Sequence, residues 1–283
     1  MSHVHHFSSG LLTPVLAYLM SAVGCMLGLM LTTRARAAEG AARVRWLVGA
    51  ALSIGGTGIW VMHFVAMMGF SVDGAQIRYD VPLTAGSAVL AIIVVGLGLF
   101  LVSYGGLKAG PLLGGGLLTG LGVAGMHYLG MAAMNMQAHV SYDPVIVGAS
   151  VAIAIVAATV ALWFTLRVRG VLATAGAALI MGVAVCGMHY TGMLAMDVRL
   201  ADSVAPLPGA RGVDFLLPIL VVVSLVTLGL LLAAVLAPSE KEMREDAALM
   251  SRLEGHQTGT FTAVQVPAPA AEPRRPSLFD APE

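Results

Sequence analysis

The sequence predicts an all-α, polytopic membrane protein with about seven transmembrane helices. Three observations carry this prediction: the composition is 58% hydrophobic and 11% charged, the mean hydropathy is +0.88, and seven apolar runs are long enough to cross a bilayer. A soluble domain of this length needs more charge to cover its surface. A run of about 20 apolar residues crosses the hydrocarbon core as a helix, because the backbone polar groups must be satisfied within the segment.

The apolar runs fill nearly the whole chain up to residue 236. The sequence therefore divides into an outer N-terminal segment (1–10), a seven-span membrane domain (11–236) and a tail (237–283), which is rich in Pro, Ala, Gly and Thr and is expected to be largely disordered. The predicted spans are Leu11–Thr32, Trp46–Met68, Val81–Ser103, Pro111–Met136, Pro144–Leu166, Val171–Met196 and Phe215–Leu236.

The distribution of Lys and Arg predicts the orientation. Cytoplasmic loops carry an excess of these residues, and four arginines lie in the first loop, between Arg34 and Arg45, with further basic residues in the third and fifth loops and in the tail. With seven spans, the N-terminus is expected outside and the C-terminus in the cytoplasm. The apolar spans make the lipid bilayer the expected partner. The formal net charge is +0, so no nucleic-acid partner is expected.

A short motif, Met-His-aromatic-x-(Ala/Gly)-Met, occurs three times. Its histidines are His63, His127 and His189, and each copy lies at the end of an even-numbered span. Each period holds two spans, and an even number of crossings returns the chain to the same face of the membrane. The sequence therefore predicts three parallel two-helix repeats plus one extra helix, with all three histidines near the outer face.

Methionines accompany each histidine at fixed spacings. Residues four apart share a helix face, so Met67, Met131 and Met193 are expected beside the three imidazoles, with Met134 and Met196 continuing two of these stripes. The methionines that precede the histidines are rotated by about 100°, and they complete the ligand set if the helices are suitably turned. The predicted metal ligands are His63, His127, His189, Met62, Met126, Met188, Met67, Met131 and Met193.

The residue types of the motif indicate the kind of metal. An ionisable residue inside a span is a functional hypothesis by default, thioether ligands favour Cu(I), and imidazole suits copper generally. Copper is therefore the predicted cofactor, and haem iron with His/Met axial ligands is the second choice. His139 is a candidate auxiliary ligand, and Asp197 is a candidate for orienting an imidazole.

Two other interpretations of the motif stay open. Duplication alone can preserve a purely structural packing motif, and histidines within a membrane can conduct protons or ions.

The sequence contains no catalytic constellation, so no enzymatic activity is expected. Trp60 is expected to anchor at the membrane interface.

The three copies resemble the MHYT domain, which is named for its Met-His-Tyr-Thr motif. Met188-His189-Tyr190-Thr191 matches it in full, Met126-His127-Tyr128-Leu129 departs at the last position, and Met62-His63-Phe64-Val65 departs at the last two. The resemblance covers roughly residues 11–236. It implies a sensor module of the bacterial inner membrane that coordinates copper through these Met and His residues and senses O2, CO or NO.

The resemblance leaves the output of the sensor unassigned. Many relatives carry cytoplasmic GGDEF, EAL or histidine-kinase domains, whereas none is expected in this chain, so its signalling partner on the cytoplasmic side is unknown. The bound metal itself is another candidate signal. The alternatives from other classes are a metal ion permease and a structural or assembly subunit of the membrane.

Overall fold

The computed structural model describes residues 4–5, 8, 10–200, 206–236 and 249–250, and the structural statements below concern these residues. Seven helices in this part of the chain are long and apolar enough to cross a membrane, which confirms the predicted fold class. They are α1 (Leu12–Ala37), the second span (Gly40–Met67, made of α2, Gly40–Ala51, a π-helix, Leu52–Val61, and α3, Met62–Met67), α4 (Val81–Gly105), α5 (Ala109–Ala132), α6 (Pro144–Arg167), α7 (Val171–Leu194) and α8 (Gly212–Leu236). Apart from 249–250, the predicted tail lies outside the described residues.

The starts of α4 and α6 are specified by the same local sequence, an aspartate followed by a proline in the first turn. The Leu83 N–H donates to Asp80 Oδ1 at 2.9 Å, and the Val145 N–H donates to Asp143 Oδ1 at 2.8 Å. These side chains satisfy backbone donors that have no partner within the helix, and proline at the first turn loses no hydrogen bond there. Both helices start within a residue of the predicted positions.

Short antiparallel strand pairs occur at the end of the bundle that carries the histidines, which we call the histidine end. Each of three pairs joins the residues before one helix to the residues after the next span, so that it closes a helical hairpin at its open end. The pairs are β1 (Val4–His5) with β2 (Ser71–Val72), β3 (Arg78–Tyr79) with β4 (Met134–Asn135), and β5 (Ala138–Tyr142) with β6 (Met196–Leu200); β7 (Ala210–Arg211) also pairs with β3.

The strands correct two predicted span ends. The sequence predicts helix through Met136 and Met196, but α5 ends at Ala132 and α7 ends at Leu194. Met134 and Met196 therefore lie in β4 and β6 and do not continue the helical stripe of the histidines. The reason is that strand pairing satisfies the backbone beyond the last helical turn, which hydropathy does not register.

One backbone hydrogen bond recurs in all three hairpins. The donors precede the first helix of each hairpin, and the acceptors lie six residues after each motif histidine. The bonds are Ser8 N–H to Gly69 O at 2.9 Å, Asp80 N–H to Ala133 O at 2.8 Å, and Asp143 N–H to Ala195 O at 2.8 Å. The three hairpins, α1 with the second span, α4 with α5, and α6 with α7, are therefore equivalent, which confirms the predicted parallel repeat.

The three hairpins form a closed ring of six spans. Contacts run from α1 to the second span, α4, α5, α6 and α7 and back to α1, while α8 lies outside the ring against the π-helix and α1. Glycines permit the closest approaches: a Cβ on Gly24 would collide with the Gly58 backbone, and a Cβ on Gly120 would collide with the backbone of Ile155. The histidine-bearing spans alternate around this ring with α1, α4 and α6.

The second span differs from α5 and α7 because its middle is π-helical. The π-helix is buried from Ser53 to Val61 and delivers α3, which carries His63. Trp60 is fully buried, and its Nε1–H donates to Ser87 Oγ at 3.0 Å. The predicted interfacial position of Trp60 is therefore wrong, because its indole N–H finds a polar partner inside the bundle.

Three arginines of the predicted first loop cap helix ends at the opposite end of the bundle, and the structure places Arg34 and Arg36 in the last turn of α1 and Arg43 near the start of α2. The last carbonyls of a helix have no partner within it, and a cationic side chain satisfies them with favourable charge. The guanidinium of Arg43 also lies 4.5 Å from the centre of the Tyr104 ring. The bonds join Arg34 to Ala234 O of α8 at 2.9 Å, Arg36 to Thr165 O and to Val168 O (3.0 Å) at the end of α6, and Arg43 to Ser103 O of α4.

Candidate metal centre

The ring brings His63, His127 and His189 together on its axis at the histidine end. Their side chains are 1%, 0% and 1% exposed. The Nδ1 atom of His63 lies 3.0 Å from that of His189 and 3.2 Å from that of His127, and the remaining pair is 3.3 Å apart. The motif copies therefore form one cluster, a choice that the sequence leaves open.

The three imidazoles are arranged like the blades of a propeller. Each pair of rings is nearly perpendicular, with interplanar angles of 84° to 89° and centroids 4.9 to 5.1 Å apart. The aromatic residue after each histidine stacks edge-on against it in all three copies, whether it is Phe64, Tyr128 or Tyr190. The motif thus uses the aromatic ring in every copy and the hydroxyl in only some.

The Nδ1 triangle cannot be fully satisfied by hydrogen bonds among neutral imidazoles. A neutral imidazole has one N–H, and a protonated nitrogen has no lone pair with which to accept. One or two of the three Nδ1 atoms can donate, so at least one edge of the triangle always joins two donors or two lone pairs. A cation bound to all three lone pairs removes this conflict.

The size of the triangle fits a metal ion. Two ligands of a tetrahedral ion at about 2.0 Å are about 3.3 Å apart, which matches the observed separations of 3.0 to 3.3 Å. The Nε2 atoms of His63 and His127 are buried and have no hydrogen-bond partner among the described residues, so a metal bound at Nδ1 would keep the ring proton on an Nε2 atom that has no acceptor there. Within the described chain, this trio is the one group of three or more His, Cys, Asp or Glu side chains arranged to hold a metal.

Two glycines determine where the imidazoles lie. A Cβ on Gly130 would stand 2.5 Å from Nε2 of His63, and a Cβ on Gly192 would overlap Nε2 of His127. Gly130 and Gly192 follow His127 and His189 by three residues, so His63 and His127 each pack on the small residue of the next copy. Sequence reasoning missed this role, although the Ala/Gly position of the shared motif is its signal.

The predicted methionines are all buried, but in two different settings. Five of them, Met67, Met126, Met131, Met188 and Met193, belong to the main core, whereas Met62 packs with Ala17 and Ala66. The burial is compatible with thioether ligands, whose assignment remains a prediction. The imidazole nitrogens are the atoms that the structure brings together.

The two other candidates are not at the cluster. His139 is exposed in β5 opposite Arg199, and the Asp197 carboxylate is 62% exposed and lies 3.4 Å from the Arg199 guanidinium. A carboxylate paired with an arginine at the surface does not orient a buried imidazole. The predicted auxiliary roles of His139 and Asp197 are therefore wrong.

A second layer of aromatic side chains supports the first. Phe64 packs against Tyr79 with ring centres 6.0 Å apart, and Tyr128 packs against Tyr142 at 5.9 Å. The Tyr128 hydroxyl lies 2.6 Å from Ser150 Oγ. Burial raises the pKa of Tyr79 to about 12, so its hydroxyl stays protonated at neutral pH and the layer adds no charge to the site.

Comparison with known families gives three consecutive matches in this chain. The model of the MHYT family, described as "Bacterial signalling protein N terminal repeat", matches residues 56–115, 120–178 and 182–244. Each match begins in a histidine-bearing span, near or before its motif, and continues through the following helix. The family repeat thus starts one span later than the structural hairpins, so the three matches together leave out α1 and include α8.

Several bacterial signalling proteins are similar to this chain. The bifunctional diguanylate cyclase/cyclic di-GMP phosphodiesterase MucR of Pseudomonas aeruginosa is 39% identical over 75% of this chain and 31% of its own length. The cyclic di-GMP phosphodiesterase NbdA of the same species is 38% identical (50% of this chain, 19% of its own), and signaling protein YkoW of Bacillus subtilis is 36% identical (59% and 21%). The matched region thus spans less than a third of each relative. No solved structure matches the chain.

Proposed function

The chain belongs to the MHYT family of bacterial signalling proteins, and from that premise we propose that it binds copper at the histidine cluster and responds there to O2, CO or NO, or to the metal itself. The family matches and the seven apolar helices identify the chain as a multi-pass membrane sensor domain of the MHYT type. The metal, the gas and the signalling partner are the proposal.

The Nδ1 triangle is the observation that supports copper. His63, His127 and His189 would hold the ion through neutral nitrogens, and buried thioethers of the motif methionines would favour Cu(I) over a harder cation. Copper bound there supplies an affinity for diatomic gases that imidazole and thioether groups lack. The protein residues hold the ligand atoms in place and exclude water from the cluster, because all three imidazoles are at most 1% exposed.

The output is proposed to pass to a cytoplasmic signalling protein. Two of the similar proteins carry names that refer to cyclic di-GMP turnover, which makes this the first class of partner to test. The end of the bundle that carries Arg34, Arg36 and Arg43 would face the cytoplasm, and the histidine end would face the outside of the bacterial inner membrane. The helix caps that Arg34, Arg36 and Arg43 form link α1 and α2 to α8, α6 and α4 at that end.

Copper binding is tested by anaerobic loading of the full chain in nanodiscs with Cu(I), followed by elemental analysis. The wild type is expected to retain copper that the His63/His127/His189 triple Ala variant loses, and its absorption spectrum is expected to lack the bands of haem. Single Met→Leu variants at 67, 131 and 193 report whether the thioethers contribute. Equal copper content in the wild type and the triple variant would contradict the proposal.

Transport is tested separately. If the cluster is a sensor site, copper uptake into proteoliposomes that contain the wild-type chain should equal uptake into liposomes that contain the triple His variant. Sustained uptake that requires the three histidines would identify a permease and would overturn the sensor proposal.

A further inference from the structure

An apolar chamber lies inside the ring, beneath the histidine cluster. Its volume is about 50 Å³. Its walls come from all six spans of the ring, and α6 contributes a series of alanines that leaves the space open. These alanines are Ala154, Ala157, Ala158 and Ala161.

The chamber is aligned with the cluster through all three motif copies. Ile59, Val123 and Val185 line it, and each stands four residues before a motif histidine. Four residues are close to one turn of an α-helix, so Val123 and Val185 lie on the same helix face as His127 and His189, about 6 Å away along the axis. Ile59 lies in the π-helix of the second span. The three form one apolar layer between the chamber and the imidazoles. Met188, which directly precedes His189, also lines the chamber.

The lining selects against water and ions. Its two threonine hydroxyls already have acceptors: Thr119 of α5 donates to Val94 O of α4, and Thr165 donates to Leu162 O of its own helix. Water in a cavity needs two to four polar partners, and a cation in an apolar cavity loses its hydration without replacement. The chamber therefore favours small uncharged apolar molecules.

The volume of the chamber limits the size of the molecule that can bind in it. A cavity of about 150 Å³ accepts benzene or xenon, and this chamber has about a third of that volume. A diatomic gas or a xenon atom fits, whereas a lipid acyl chain or a quinone ring does not.

The chamber also has a neighbour on the lipid-facing surface. An apolar groove between α6 and α7 shares three wall residues with the chamber, Ala157, Met181 and Ala184. These thin walls separate the bilayer, where apolar gases dissolve well, from the interior of the ring. A gas that enters here does not need an aqueous channel to reach the chamber.

We propose that this chamber is a docking site for a diatomic gas, which enters from the bilayer between α6 and α7 and reaches the histidine cluster through the layer of Ile59, Val123 and Val185. The proposal rests on the proposed function for its last step, because the cluster is where the gas would be detected. Docking in the chamber itself does not depend on copper. The two can therefore fail separately.

Docking is tested with xenon, an apolar probe that needs no metal. Crystals of the full chain grown in a lipid phase and pressurised with xenon should show its anomalous signal in the chamber. Ala158→Leu should remove that signal, because its three added carbons occupy the space, whereas Ala149→Leu, an exposed position of the same helix, should leave it unchanged. Ala154→Leu repeats the filling one turn nearer the histidines, in case Ala158→Leu fails to fold. Absence of xenon from the wild-type chamber would overturn the proposal.

The route is tested by CO recombination after flash photolysis of the copper-loaded chain. Ala158→Leu should slow the bimolecular recombination of CO from outside the protein at least tenfold, while copper per chain stays at the wild-type value. Val123→Ala should accelerate the same step. An unchanged rate in the filled variant would overturn the route. If the wild type binds no copper, the proposed function fails, and the xenon signal still decides whether the chamber binds gas-sized ligands.

Discussion

At the residue scale, the cluster depends on what is missing at Gly130 and Gly192. The imidazoles of His63 and His127 occupy the space that a β-carbon would need. Helix patterning predicts the histidines and methionines from their spacing alone, but it does not assign the small residue of the motif to a neighbouring copy, because that contact exists only after the ring closes.

Replacing either glycine with alanine should therefore displace an imidazole and weaken the metal site. We expect Gly130→Ala and Gly192→Ala each to lower copper affinity by about 10- to 100-fold, the range seen when the support of a ligand is lost. Matched controls are Gly125→Ala on α5, where a Cβ would meet only Leu90 at 3.9 Å, and Gly187→Ala on α7, where a Cβ would meet nothing within 4 Å. Competition with a copper chelator measures the four affinities. Equal values would contradict the proposed role of Gly130 and Gly192 in positioning the imidazoles.

The Tyr128 hydroxyl is hydrogen-bonded to Ser150 Oγ, so we expect it to have a structural role rather than a ligand role. Tyr128→Phe should leave copper per chain unchanged, because Phe64 already occupies the same place in the first copy and packs edge-on against His63. Loss of the bond to Ser150 should cost about 1 kcal/mol of unfolding free energy. A thermal melt together with elemental analysis separates the two effects, and a loss of copper would show that the hydroxyl is a ligand.

At the element scale, the sequence predicts that the arginines from Arg34 to Arg45 are a topology signal, with contact to anionic lipid as the alternative. The structure shows that three of them, in α1 and α2, cap helix ends. Charge counting cannot distinguish these functions, since an arginine that marks the cytoplasmic side and one that caps a helix look alike in sequence. The π-helix was also beyond prediction, because the hydropathy pattern of Leu52–Val61 suits either helix type. The caps depend on which helix ends lie next to the arginines, and the π-helix depends on which helix faces pack against it.

The caps predict a selective loss of stability. Arg36→Gln and Arg43→Gln should each lower the free energy of unfolding by about 1–3 kcal/mol, because helix-end carbonyls lose charged donors. Arg45, an exposed residue of α2, provides the control variant Arg45→Gln, which should melt at the wild-type temperature. Three equal melting temperatures would show that the caps contribute nothing.

At the scale of the whole molecule, the seven spans and the parallel two-helix repeat were predictable because lipid forces long apolar helices and because an even number of crossings preserves sidedness. The convergence of three helix ends was not. It depends on α1 closing the ring between the second span and α7, through close contacts at residues such as Gly24, and nothing in the motif spacing determines the ring order.

The three motif copies are expected to build one metal site, because their imidazoles form one cluster. Titration of the reduced wild-type chain with Cu(I) against a chelator should give one ion per chain, and each of His63→Ala, His127→Ala and His189→Ala should weaken that same ion, with none of the variants retaining a wild-type site. Three ions in the wild type, reduced to two unperturbed ions by each single substitution, would contradict the claim, because the histidines would then act at separate sites.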